Sequence, residues 1–202
     1  SIRVNFPQYR KLFGYLKTLG VRVFFDVSFG ADITTWGYIK AIKERGLNTV
    51  IAQPCPAVVN YIEKIRPDLL PQLAPVHSPM MCAAIYLKKY THNDTDFAML
   101  SPCIAKKGEF ASTGNLIKYN VTFRGLMNYL QANKIDYMDY PEEDFSDIPC
   151  SLGCLYSRPG GLRENVEELI PNAWVRQVEG TDAAYEYLEI YRERVQNSQP
   201  TP

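Results

Sequence analysis

The stretch DFAMLSPCIAKK, residues 96–107, decides the fold that we predict for this chain. Its first six residues predict a short buried strand, which Pro102 ends. Cys103 follows at once, where the carboxyl end of the strand meets a loop. In open α/β sheets, ligands collect beyond the carboxyl ends of the strands. Cys103 is therefore a candidate ligand-binding residue.

Strands and helices alternate on both sides of this stretch. Apolar and β-branched runs predict further strands, and helical periodicity bounded by Gly, Pro or Ser predicts the helices between them. The further strands are predicted at 21–28, 48–53, 119–123 and 173–179, the helices at 33–46, 58–66, 80–90, 124–134, 162–170 and from about 181 onward, and a loop at 139–149. This alternation predicts an α/β fold with largely parallel strands. We expect one domain over residues 1–197 and a frayed polar tail over 198–202.

Composition and charge narrow the class of protein. The 202 residues are 46% apolar and 22% charged, which excludes a disordered chain, and five cysteines are too few for a disulfide scaffold. No apolar run approaches the roughly 20 residues of a membrane helix. The net charge is zero, but residues 1–140 carry 17 basic and 10 acidic side chains, and residues 141–202 carry 5 and 12. Nucleic-acid-binding domains are usually basic overall, so we expect no nucleic-acid partner, no membrane and an acidic, solvated C-terminal helix.

Four of the five cysteines lie at predicted strand ends or in loops. Cys55 follows a strand in QPCPA, and Cys150 and Cys154 form the loop motif PCSLGC. Together with Cys103, these thiols could meet at one point beyond the ends of the strands. Cys82 differs, because it lies inside a helix among apolar neighbours, as a small buried hydrophobic residue does.

Three chemistries compete for the four thiols. Disulfides need an oxidising compartment, which nothing in the sequence indicates. Structural zinc usually has paired short spacings such as C-x2-C, whereas here one pair is spaced C-x3-C and two cysteines stand alone. An iron–sulfur cluster accepts singly placed thiolates, because its iron corners point in different directions. Spacing alone leaves a cluster, zinc and unliganded thiols open.

Three cysteine segments resemble, in order, the signatures of the H-cluster domain of iron-only (FeFe) hydrogenases. They are AQPCPAVVNYIEKIRPDLL at 52–70, SPCIAKKGE at 101–109 and CSLGCLYSRPGG at 150–161, and DVSFGADIT at 26–34 is similar to the stretch that precedes them in that family. The resemblance covers the chain from about Val21 to the start of the helix at 162–170. It implies two intertwined α/β lobes with mostly parallel sheets and the cluster site between them.

The resemblance also implies a cofactor and its ligands. In the family, four cysteines hold a 4Fe–4S cluster, and one of them bridges to a two-iron unit that carries CO and CN ligands. Lys106 would pair with a cyanide through a charge-assisted hydrogen bond, and without that cyanide the lysine would have little to do. Gln53 and Ser101 would line the pocket, and H2 and protons would be the substrates. The ligands, by motif position, would be Cys55, Cys103, Cys150 and the bridging Cys154.

The chain departs from catalytic members of the family along the proton path. Pro54 stands where those members have a proton-carrying cysteine, residues 33–43 contain no carboxylate, and Ala74 lies near the position of the family's serine. Positioned proton donors contribute about 10²–10⁴-fold to a rate, so we expect slow or no hydrogen turnover. His77 is predicted as a surface or capping residue rather than a substitute proton carrier.

These departures resemble the sensory branch of the family. That branch implies hydrogen or redox sensing in the cytoplasm of an anaerobic bacterium, with a ferredoxin-like segment before this domain and a signalling domain after it. Two alternatives stay open: a non-enzymatic 4Fe–4S protein that never takes the two-iron unit, and a zinc-stabilised interaction domain.

Overall fold

The computed structural model describes residues 2–47, 49–91, 94–146 and 148–197. Short 3-10 turns connect the helices at Pro67–Gln72, Tyr137–Asp139 and Leu152–Leu155. The α-helices are α1 (Ile2–Asn5), α2 (Tyr9–Thr18), α3 (Ser28–Arg45), α4 (Pro56–Ile65), α5 (Pro79–Tyr90), α6 (Lys106–Ser112), α7 (Phe123–Ala132), α8 (Gly161–Leu169) and α9 (Thr181–Gln196). The predicted tail at 198–202 lies outside the described residues.

The sheet of the described chain is one parallel pair of strands. Strand β1 (Phe97–Ser101) lies beside β2 (Ile117–Thr122), with Phe97 opposite Ile117 and Ser101 opposite Thr122. Helix α6 connects the two strands, as a parallel pair requires. The α/β class predicted from the sequence is therefore confirmed, and the loop that follows β1 carries Cys103.

Three predicted strands are wrong or much reduced. Residues 21–26 and 173–179 form no strand, and the prediction at 48–53 leaves one parallel bridge, between Ile51 and Leu73, with Asn48 outside the described residues. A strand needs a neighbour for its ladder of hydrogen bonds. The segment at 21–26 has one hydrogen bond of this kind, in which the Ser146 N–H donates to the Phe24 carbonyl at 2.8 Å. β-branched and aromatic residues predict an extended chain, but they do not supply its partner.

Helix α3 begins earlier than the sequence predicts. The Asp26 carboxylate accepts hydrogen bonds from the Ser28 backbone N–H at 3.0 Å and from the Ser28 hydroxyl at 2.6 Å, so the first turn forms at Ser28. The helix ends as predicted at Gly46, whose φ of 61° places it in the left-handed region that favours glycine. Of the described helices, none is long and apolar enough to cross a membrane.

The core consists of several apolar clusters around α3 and the sheet. One joins α2 to α7 through Leu12, Phe123 and Leu126, and two others pack α5 against α6 and against α3. Close contact between α3 and α5 depends on Gly30, because a Cβ there would lie 2.2 Å from the Pro79 carbonyl oxygen. Helix α9 buries Leu188 and Tyr191 against α4 and the 67–72 turn. The loops that carry the cysteines therefore extend from helices and strands that are packed together.

Candidate functional site

Three of the four thiols predicted at strand ends or in loops lie there, whereas Cys55 lies at the start of a helix and follows a single bridge rather than a strand. Cys55 is the residue before the first turn of α4, Cys103 follows β1, Cys150 precedes the 152–155 turn, and Cys154 lies within that turn. All are free thiols, with Cys103 half-buried and the other three exposed. Cys82, on α5, is half-buried, and burial raises the pKa of its thiol.

The loop after β1 holds Cys103 from two sides. Ser101 is 1% exposed, and its hydroxyl accepts the Cys103 backbone N–H at 3.2 Å. From β2, the Asn120 amide donates to the Cys103 carbonyl at 3.0 Å. Ser101, predicted to line a pocket, therefore acts in this structure on the backbone beside the thiol.

Lys106 links the first and second cysteine segments. Its ammonium group is buried, at 4% exposure, and donates to the Glu109 carboxylate at 2.7 Å and to the Pro54 carbonyl at 3.0 Å. The inference that this lysine would have little to do without a cyanide is wrong, since a carboxylate and a carbonyl already satisfy it. Its second contact places α6 against the residue that precedes Cys55.

Gln53 connects the first cysteine segment to two other parts of the chain. Its side-chain amide donates to the carbonyls of Ala74 and Val76, the latter at 2.6 Å. Its backbone N–H donates to the Tyr38 hydroxyl at 3.2 Å. Gln53 was expected to line the pocket, but its side-chain nitrogen binds backbone carbonyls instead. His77 is exposed, as predicted.

The third cysteine segment is anchored to α3 by Asp32. This carboxylate accepts the backbone N–H groups of Ser151 at 2.7 Å and Gly153 at 2.6 Å. A Cβ on Gly153 would lie 2.1 Å from the Ser28 carbonyl oxygen, so the close approach of this loop to α3 requires a glycine here. The Cys154 thiol donates to the Ser151 carbonyl at 2.7 Å.

A cleft of about 420 Å³ opens beside this segment. The Thr35 hydroxyl and the Asn165 side-chain oxygen are buried there without a hydrogen-bond partner among the described residues. Burial, with the adjacent Cys154 thiol, raises the pKa of Cys150. The cleft is lined by Asp32, Thr35, Pro149, Cys150, Ser151, Leu152, Asn165 and Leu169.

The structure brings the predicted residues together in pairs. Cys150 and Cys154 lie side by side, and Lys106 joins the segments of Cys103 and Cys55. Within the described ranges, no three His, Cys, Asp or Glu side chains are grouped to hold a single metal ion. The donor chemistry nevertheless fits an iron–sulfur cluster, because the four thiols are free and cysteine thiolates are the ligands that such clusters take.

Sequence reasoning missed the residues that hold the cysteine loops. Asp32, Asn120 and Asn165 each bind the backbone of a cysteine segment, and Asn165 does so at the Leu152 carbonyl at 3.0 Å. Asp32 lies inside the DVSFGADIT stretch, and the resemblance of that stretch to the hydrogenase family was a signal that could have identified this residue. The two asparagines have no such motif, because their role depends on the packing of elements that are distant in the sequence.

Comparisons with known proteins identify the family of this chain. The family described as the C-terminal domain of the iron only hydrogenase large subunit matches residues 2–198. Iron hydrogenase 1 of Clostridium pasteurianum is 24% identical over 196 residues, which cover 84% of this chain and 34% of that protein. The cytosolic Fe-S cluster assembly factor NAR1 of Scheffersomyces stipitis is 24% identical over 210 residues, covering 93% and 38%. The chain thus spans little more than a third of these relatives.

Solved structures show the same fold. The structure of HydA(deltaEFG), described as revealing stepwise FeFe-hydrogenase H-cluster assembly, matches with a TM-score of 0.64 and 23% identity over 84% of this chain and 48% of that one. A variant of FeFe-hydrogenase HydA1 from Chlamydomonas reinhardtii matches with a TM-score of 0.63 and 24% identity, over 86% and 51%. The chain therefore corresponds to about half of these structures.

Proposed function

Because this chain belongs to the family of C-terminal domains of the iron-only hydrogenase large subunit, we propose that it binds a 4Fe–4S cluster. The proposed ligands are Cys55, Cys103, Cys150 and Cys154. The observation that supports this most strongly is the buried ammonium of Lys106, which joins two of the cysteine segments. Glu109 balances the charge of Lys106, and the contact with the Pro54 carbonyl fixes the Cys55 segment against α6, so the loops of two proposed ligands are held relative to each other.

Each cysteine segment has an anchor that prepares it for a ligand. Ser101 and Asn120 fix the backbone of Cys103, and Asp32 fixes the backbone between Cys150 and Cys154. A preformed backbone lowers the ordering cost of ligand binding. The thiols themselves stay exposed or half-buried, where a cluster could reach them.

The cluster hypothesis is tested with a serine variant of a ligand and a matched control. Cys103→Ser removes a proposed ligand, whereas Cys82→Ser removes the cysteine that lies outside the proposed set. After anaerobic reconstitution, we expect the cluster's visible absorbance and bound iron to fall sharply in Cys103→Ser and to stay at the unmodified level in Cys82→Ser. Equal iron in both variants would contradict the assignment.

We further propose that the mature domain carries the two-iron CO/CN unit on Cys154 and senses hydrogen or redox state. When bound, that unit supplies the chemistry that interconverts H2 with protons and electrons. Pro54, which precedes Cys55, has neither a proton to give nor a thiolate to accept one. Residues 33–43 of α3 add no carboxylate. The chain's own residues thus offer little proton delivery, so slow turnover is expected.

The sensing hypothesis has a direct test. Fully matured protein should show CO and CN infrared bands that respond to H2, together with hydrogen uptake far slower than that of a catalytic relative measured alongside. Rapid, sustained turnover would contradict it. In the complete protein, we propose that a ferredoxin-like segment supplies electrons and that a signalling domain receives the response, in the cytoplasm of an anaerobic bacterium.

One observation favours a second candidate, a 4Fe–4S protein without the two-iron unit. Glu109 and the Pro54 carbonyl already satisfy Lys106, so this buried lysine does not require a cyanide. The similarity to an Fe-S cluster assembly factor is consistent with this alternative. Infrared spectra separate the two functions: CO and CN bands after exposure to the maturation enzymes support the first, and a 4Fe–4S cluster without such bands supports the second.

A further inference from the structure

The cleft beside the third cysteine segment contains a buried amide oxygen that the described chain leaves unused. Asn165, on α8, is 1% exposed, and its side-chain nitrogen donates to the Leu152 carbonyl at 3.0 Å and to the Gly161 carbonyl at 2.8 Å. These two carbonyls fix the orientation of the amide, because only its NH2 end can donate to them. The oxygen at the other end has no hydrogen-bond partner among the described residues.

Thr35, on α3, contributes a second unused oxygen to the same cleft. Its side chain is 1% exposed, and its hydroxyl has no partner within the described part of the chain. The neighbouring Thr34 is buried too, but its hydroxyl donates to the Gly30 carbonyl at 2.9 Å. A buried polar group without a partner has lost its water without compensation. A hydrogen-bond donor that reaches the floor of the cleft would supply the missing partner of Thr35 and Asn165.

Asp32 gives this cleft a negative charge. Each oxygen of its carboxylate accepts one backbone N–H, from Ser151 and Gly153, and neither partner is charged. The ion pairs formed by the described residues do not include Asp32. A carboxylate can accept about four hydrogen bonds, so it retains capacity for a ligand. The polar part of the cleft therefore presents mainly acceptors.

The remaining wall of the cleft is apolar. Pro149, Leu152 and Leu169 line it beside the polar groups. The volume of about 420 Å³ falls within the range of about 300–1,000 Å³ that small-molecule sites occupy. A complementary ligand therefore carries a positive charge and N–H donors at one end and a short hydrocarbon chain at the other.

We propose that this cleft binds a small primary amine in its ammonium form. The ammonium group donates to Asp32, Thr35 and Asn165, and the carbon chain packs against Leu152 and Leu169. A primary ammonium has three N–H donors and no acceptor, which matches a site built from acceptors. The inference does not rest on cluster binding, because α3 and α8 supply the buried oxygens and no thiol is needed to bind the amine.

The test titrates n-butylammonium into the chain before reconstitution, with n-butanol as the neutral probe of the same carbon length. NMR follows the backbone N–H signals of Ser151 and Gly153 and the side-chain amide signals of Asn165. We expect saturable shifts with millimolar affinity for butylammonium and binding at least tenfold weaker for butanol. Nα-acetyl-lysine methylamide distinguishes two sources of the ammonium group: if it binds as well, the cleft accepts a lysine side chain of a partner protein, and if it does not, the cleft takes a free amine.

Three variants assign the binding to this cleft. Thr35→Val removes a hydroxyl that has no partner, so the chain should stay folded while butylammonium binds about tenfold more weakly. Thr34→Val is the matched control, because it removes a neighbouring buried hydroxyl that does not line the cleft, and it should keep the unmodified affinity. Leu169 is 49% exposed, so Leu169→Lys places a competing ammonium at the cleft without disturbing the core. It should abolish binding, and it tests the inference independently of whether Thr35→Val folds.

Three results would overturn the inference: no saturable shift with butylammonium, equal affinities for butylammonium and butanol, or unmodified affinity in Leu169→Lys and in folded Thr35→Val. Its failure and that of the proposed function are distinguishable, because iron content after reconstitution tests only the cluster. A chain that binds the amine but no iron keeps this inference and loses the proposed function, and a chain that binds iron but no amine does the reverse.

Discussion

Lys106 is the residue on which the arrangement depends most, because it is a buried charge shared by two cysteine segments. Its removal leaves the Glu109 carboxylate, 15% exposed, without a cation. We predict that Lys106→Ala lowers the free energy of unfolding by about 3–5 kcal/mol, the usual cost of breaking a buried ion pair. Urea denaturation measures this. The adjacent exposed Lys107, changed to Ala, should have little effect, and equal losses in both would contradict the role of Lys106.

Gly153 carries a second prediction at the residue scale. A methyl group there would collide with the Ser28 carbonyl and the Asp32 backbone. Gly153→Ala should therefore cost about 1–3 kcal/mol, as overpacking does, and should weaken cluster binding by displacing the Cys154 segment. Gly108→Ala is the control, because nothing lies within 4 Å of a Cβ at that position. Similar thermal midpoints for Gly153→Ala and Gly108→Ala would show that the loop moves freely.

Side-chain type revealed some of these residues from the sequence and concealed others. A cysteine after a strand, and a lysine beside it, are visible as motifs. Tyr38 and Asn165 read as ordinary helix residues, because hydroxyl and amide groups become informative only when their partners are known. Lys106 shows the same limit: its place in the motif was recognised, but its partner Glu109 became evident only from the structure.

At the scale of the element, α9 is held to α4 and the 67–72 turn by both apolar packing and ion pairs. Arg66 and the Tyr61 hydroxyl bind Glu189, and Arg192 binds Asp68. The Arg66 hydrogen bond holds the pKa of Glu189 below its ordinary value, and Arg192 does the same for Asp68. These pairs therefore stabilise the fold above the ordinary carboxyl pKa of about 4, and the effect is lost as pH falls through the lowered values.

We predict that the thermal midpoint falls as pH is lowered from about 6 to about 3, and that Glu189→Gln makes the dependence shallower, because one depressed carboxyl no longer titrates. Glu193→Gln, at an exposed position on the same helix, is the control and should keep the unmodified dependence. A Glu189→Gln profile that overlays the unmodified one would contradict the role of this pair.

Helices and strands were predictable where the local sequence pattern also had a tertiary partner to pack or pair with. The strands predicted at 96–101 and 119–123 are present because α6 brings the second strand back beside the first. The extended segments at 21–26 and 173–179 have strand-like residues, yet no described neighbour forms a ladder with them. Helix positions were more reliable, since a helix satisfies its own backbone and needs only one apolar face to dock.

At the scale of the molecule, some of the acidic side chains of the C-terminal part form ion pairs with basic side chains of the N-terminal part. Asp144 pairs with Arg10 at 2.6 Å and Glu143 with Lys17 at 3.6 Å, so the acidic loop lies against the basic helix α2. The chain corresponds to about half of the solved structures that it matches. The anchors described for the cysteine segments all lie within this chain, so we predict that the proposed cluster binds without further polypeptide.

The most direct test of that central claim is the content of iron, acid-labile sulfide and zinc in anaerobically reconstituted protein. We predict about four irons and four sulfides per chain, as a single 4Fe–4S cluster requires. One zinc per chain without sulfide would contradict it and would make this chain a structural zinc domain with a hydrogenase fold.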